Sequence, residues 1–161
     1  MKITIITVGK IKEKYIRDAI SEYTKRLKNY VKLEIIQVED EPVPENAGCE
    51  ERDQIKAKEA DRILKHIKDK EGSYLITLDI IGISMNSEDF AAKIEKLMAY
   101  GVSHIQFVIG GSLGLHSKVC NRANLSLSFS KMTFPHQLMR VILLEQIYRS
   151  YRIIRNEPYH K

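Results

Sequence analysis

Residues 104–110, HIQFVIG, constrain the fold more than any other stretch. Their apolar side chains stand at consecutive positions rather than alternating ones, so a strand built from them is buried on both faces. Such a strand needs helices above and below it. β-Branched and apolar runs also occur at 2–8 (KITIITV), 32–38 (KLEIIQV) and 73–79 (SYLITLD). A fifth strand over 124–129 is built on Leu125, Leu127 and Phe129 with serines between. Helical segments separate the runs. Over 12–29, Ile16, Ala19, Ile20, Tyr23 and Leu27 fall on one face. Over 50–68, Ile55, Ala60, Ile63, Leu64 and Ile67 do the same. Ser87 stands three residues before Phe90 and is placed to cap a helix over 88–99. A last helix opens near Pro135, where a missing amide donor costs nothing, and runs to about Ile154. The stretch after the third strand, IIGIS, reads as a turn around Gly82. The alternation predicts an α/β fold: a mostly parallel sheet with helices on both faces. The 161 residues make one domain, 1–161.

Several classes are excluded early. No run is long and apolar enough to cross a membrane, and the N-terminal apolar stretch is too short for a signal segment. Cys49 and Cys120 show no paired spacing, which points to a reducing, cytoplasmic setting. The five histidines form no HExxH pattern and do not cluster with cysteine, so no metal is expected. The charge is uneven. Residues 1–38 carry nine basic and four acidic side chains, and residues 116–161 carry eight and two. Charge alone does not decide between a polyanion-binding surface and simple solubility.

Three stretches can carry chemistry. Gly110-Gly111-Ser112-Leu113-Gly114 follows the fourth strand, where open α/β sheets bind ligands. It is neither GxGxxG nor a phosphate loop, and a plain tight turn stays open. The second stretch runs from Leu125 to His136: a buried strand, a hydroxyl-rich loop, then a helix start. Its backbone can wrap an adenosine while Leu127, Phe129 and Met132 enclose the base; equally, Thr133 can cap the helix. The third is the last helix with its tail. Residues 138–148 are apolar around nearly the whole circumference, which favours a subunit interface. Arg149, Arg152 and Arg155 follow at three-residue spacing, suited either to phosphate or to the helix dipole.

FVIGGSLGL, LSLSFSKMTFPHQLMRVILLEQIYRSYRI, the closing PYHK and the opening ITIITVGKIKEKYI together resemble the RlmH family of SPOUT methyltransferases, in order and over essentially the whole chain. The resemblance implies a SPOUT α/β knot, with a C-terminal trefoil knot over about 73–155. That is a threading general topology rules argue against. It also implies a homodimer. The implied activity is transfer of a methyl group from S-adenosylmethionine to N3 of pseudouridine 1915 in 23S ribosomal RNA, on assembled ribosomes. The implied cofactor positions are Leu78, Gly110, Phe129, Ser130, Lys131, Met132, Thr133 and Phe134. Two departures stand out: Ile83 replaces the lysine of a DxxGK-like pattern, and Asn156 stands where relatives often have glycine. For catalysis, Arg140 or Arg149 is expected to stabilise an anion on the base. Tyr159 and His160 of a partner's tail are expected to position that base or relay its proton. The alternatives are a non-catalytic ribosome-associated factor on the same fold and a nucleotide-binding domain, whose phosphate-loop lysine is missing.

Overall fold

The computed structural model describes residues 1–159. The five strands are β1 (Lys2–Val8), β2 (Lys32–Val38), β3 (Ser73–Ser84), β4 (His104–Ile109) and β5 (Leu125–Ser128). They form one sheet in the order β2-β1-β4-β3-β5, and every neighbouring pair is parallel. The helices are α1 (Lys14–Leu27), α2 (Cys49–Leu64), α3 (Ser87–Ala99), the single turn α4 (Ser117–Cys120) and α5 (His136–Ile154).

The two-residue period of the strands divides the core. Ile3 and Ile5 of β1 and Ile105, Phe107 and Ile109 of β4 pack with Leu27, Phe90, Ile94, Leu143 and Ile147 of α1, α3 and α5. Ile6, Val8 and Val108 face the other way, against Ala60 and Ile63 of α2 and Val119 of α4. HIQFVIG is therefore sandwiched, and Ile105, Phe107 and Val108 are fully buried. Burial of each such side chain contributes roughly 1.5–3 kcal/mol, which is why the central strand fixes the layer order.

Four local expectations change. The stretch around Gly82 is not a turn: β3 runs on to Ser84 with a bulge, and both Leu78 and Ile83 pair with Leu127. A Cβ on Gly82 would lie 2.7 Å from the Ser126 carbonyl, so glycine is what lets β3 close over β5. The cap of α3 is Asn86, whose side chain accepts from the Asp89 amide at 2.7 Å, rather than Ser87. Ser87 instead donates to Gln146 of α5 at 2.8 Å. Thr133 does not cap α5, which starts at His136 with Pro135 in the cap position and no side-chain cap bond. The turn α4 was not expected; His116 caps it through Nδ1, which accepts from the Lys118 amide at 3.1 Å.

Candidate active site

Because all strands are parallel, their carboxyl ends lie on one edge. A cavity of about 730 Å³ opens there, against the ends of β3, β4 and β5. Leu78 and Gly110 line it, as do Phe129, Ser130, Met132, Thr133 and Phe134. Lys131 is exposed, and the wall passes from Ser130 to Met132 without it.

Backbone geometry shapes the wall. A Cβ on Gly110 would stand 2.7 Å from the Gly114 carbonyl carbon and 2.9 Å from its oxygen, because the loop folds back on itself. The Gly114 amide donates to Gly111 O at 3.1 Å and closes that loop. A Cβ on Gly111 would meet the Glu59 carboxylate at 3.0 Å. Glu59 is almost fully buried, accepts from the Glu41 amide at 3.0 Å, and is pushed above the ordinary carboxylate range chiefly by burial. On the far side, Ser128 donates to Ser130 O at 3.0 Å, and Ser130 Oγ accepts from the Met132 amide at 2.9 Å. Those two serines brace the loop by themselves.

The arginines separate. Arg140 is 2% exposed, and its Nη2 donates to Val8 O at 2.6 Å and Gly9 O at 2.8 Å. It thereby ties the start of α5 to the end of β1. Its Nε and Nη1 are buried without a partner, and burial lowers its pKa to about 10. Arg149 makes a close pair with Glu145, at 2.9 Å from Nε and 2.6 Å from Nη2. Tyr159 lies over the same turn. Its ring meets Tyr148 edge-on at 5.0 Å, the Arg149 guanidinium stands 4.8 Å from the ring centroid, and its hydroxyl donates to Glu145 at 3.2 Å. Burial, with help from Tyr23 and Glu145, pushes that phenol up to about 12. His160 lies outside the described residues.

A family model, "Predicted SPOUT methyltransferase", matches residues 1–160. The chain belongs to the SPOUT methyltransferases. The resemblance read from its motifs holds over the full length. It is 62% identical over 161 residues to the ribosomal RNA large subunit methyltransferase H of Bifidobacterium adolescentis, and 56% to that of Acetivibrio thermocellus, with 100% of both chains covered each time. Among solved structures, a "probable methylase family protein" from Haemophilus influenzae superposes with a TM-score of 0.55 over 99% of this chain and 70% of its own, at 15% identity. That likeness speaks for the fold alone.

The SPOUT cavity also contains residues that the sequence reading missed. Asp79 and His136 line it, together with Met139. His136 was legible in principle, as the first residue of a helix opening straight after the hydroxyl-rich loop. Asp79 was read only as the end of a strand. Among the described residues no group of His, Cys, Asp and Glu is arranged to hold a metal, and no helix is long and apolar enough to cross a membrane.

Proposed function

We propose that this SPOUT enzyme binds S-adenosylmethionine in the strand-end cavity and methylates N3 of pseudouridine 1915 in 23S ribosomal RNA, on assembled ribosomes in the cytoplasm. The cavity carries the reading. Its volume of about 730 Å³ suits a nucleoside-sized ligand, where pockets run roughly 300–1,000 Å³. Leu78, Phe129 and Met132 offer apolar contact to a purine, and the glycine loop brings bare backbone close to it. The bound cofactor supplies a methyl group already activated on a sulfonium. What the protein adds is position and charge. The loops at 110–114 and 129–134 hold the donor, and apolar walls exclude water.

The rest of the reading concerns assembly. Ile80, Ile81 and Ile83 of β3 are 47%, 90% and 60% exposed, Met132 is 74%, and Phe134 and Leu138 are 37%. Ile80, Met132 and Phe134 also line the cavity, and that many exposed large apolar side chains supports a homodimer, with a second copy covering them. The whole chain, 1–161, acts as one domain, and a trefoil knot over about 73–155 fits a last helix that returns from the edge strand to pack on both α3 and α1. Arg149, Tyr159 and His160 serve the target base, and Arg140 acts electrostatically from behind α5. Mass spectrometry of the large-subunit RNA with and without the gene tests the reaction, and calorimetry with S-adenosylhomocysteine tests the cavity. An unmethylated pseudouridine restored by the gene is the expected result. Ribosome binding without methyl transfer would instead support the non-catalytic factor.

A further inference from the structure

Two titratable side chains line the cavity among the described residues, Asp79 at the end of β3 and His136 at the start of α5. N3 of a pseudouridine bears a proton that must leave before nitrogen can accept a methyl group. We propose that His136 takes that proton, a role that rests on the N3 reading above.

The placement argues for it. His136 shares the first turn of α5 with Met139, and both stand on the cavity wall. Burial pushes the imidazole below its ordinary value, the Arg140 guanidinium one turn along pushes the same way, and Asp40 in the loop after β2 opposes both. The ring is therefore neutral at pH 7, with a lone pair free to accept a proton. Arg140 cannot accept one, since a guanidinium stays charged. Asp79 is the rival within the cavity, but a carboxylate is a weaker base than an imidazole, and this one already accepts from the Ile81 amide at 3.4 Å. In the step, the N3–H bond breaks and the proton goes to the imidazole. The N3 electron pair then bonds to the methyl carbon. The carbon–sulfur bond breaks with its pair left on sulfur, giving a neutral thioether, methylated base and imidazolium. Arg140 then favours release of the imidazolium proton to water.

The test compares wild type with His136→Asn and His136→Gln on ribosomes lacking the modification. Calorimetry with S-adenosylhomocysteine sets the cofactor concentration that saturates each variant, so the rates compare loaded enzymes. Single-turnover methyl transfer at pH 7 should fall about 100-fold. The wild-type rate should rise with pH to a plateau. Its midpoint should match the His136 titration followed by NMR, below pH 6.5. In the variants the rate should keep climbing with pH, because solvent must take the proton. Variant rates within about threefold of wild type, or an unchanged midpoint, would overturn the role of His136. A wild type that binds the thioether yet methylates no ribosome would sink the substrate reading itself, which separates the two failures.

Discussion

Replacing Gly110 by alanine probes the cavity with one atom. The new Cβ would stand 2.7 Å from Gly114 C, 2.9 Å from Gly114 O and 3.1 Å from a Leu115 methyl. Real contacts of this kind sit near 3.5–4.0 Å, so the loop must move by about 1 Å. Two of the obstructing atoms are backbone, and the Gly114 amide is held on Gly111 O, so the shift cannot be absorbed by a rotamer change. Overpacking of this size costs about 1–3 kcal/mol. The cost divides between two observables. If the loop stays put in the free protein, the strain appears as a lower unfolding midpoint. If it relaxes outward, the strain returns on binding, and affinity for S-adenosylhomocysteine falls by roughly 5- to 150-fold. The two effects should sum to that range. Calorimetry and urea unfolding on the same preparation measure both. Gly48→Ala is the control, since nothing lies within 4 Å of its added Cβ. Unchanged stability together with unchanged affinity in Gly110→Ala would refute the proposed loop geometry.

Three further outcomes follow from buried charge and from the tail. Glu59 has a folded-state pKa above its unfolded value, so its carboxylate costs stability once pH rises through the folded value. Glu59→Gln keeps an acceptor for the Glu41 amide and should raise the unfolding free energy from urea titration at pH 7.5 by up to about 1 kcal/mol, but not at pH 4; a lower unfolding free energy at pH 7.5 would contradict this. His104, whose Nε2 lies 2.9 Å from Thr4 Oγ1, and His136 are both held below 6.5, chiefly by burial. Their stabilising effect is complete above pH 6.5 and is lost as pH falls below it, so a double His→Gln variant should flatten that acid slope in thermal melts, and an undiminished slope would locate it elsewhere. Removing residues 158–161 should abolish turnover and spare cofactor binding. Mixing such chains with a cavity-blocked variant should return about a quarter of wild-type transfer if tail and cavity come from different protomers, since half the dimers are mixed and each has one intact site. No recovery would place both parts in one chain.

Much of the layer architecture was legible because burial on two faces leaves a distinctive pattern. HIQFVIG, with no polar alternation apart from Gln106, allowed one arrangement: a central strand between helical layers. Boundaries were less legible where a cap or a bulge decided them. Asn and Ser are equally good caps, so the sequence does not rank Asn86 and Ser87; in the fold Asn86 takes the Asp89 amide while Ser87 is engaged with Gln146 of α5. The bulge at 79–82 looks like a turn because Gly82 serves a close crossing of strands rather than a change of direction. At the site, the glycine loop and the 129–134 loop stood out by residue type. His136 was marked only by its place at the helix start after that loop, and Asp79 by nothing local, since it reaches the cavity only where the ends of β3, β4 and β5 come together.

Helical phase decides how the two arginines of α5 can be used. Arg140 and Arg149 are nine residues apart, which at 3.6 residues per turn puts them about 180° apart around the axis and about 13 Å apart along it. His136, Met139 and Arg140 occupy the phase that meets the cavity and the end of β1. Leu143 and Ile147 continue that side into the core. Arg149 therefore projects from the opposite side, where Glu145 and Tyr159 of the same chain already hold it. A base seated at the cavity of one protomer cannot meet both the Arg140 side and the Arg149 side of a single rigid helix. If Arg149 and the tail act on the base whose acceptor nitrogen faces that cavity, they must come from the second copy, and the exposed apolar side chains that would hold the copy in place become part of the catalytic apparatus.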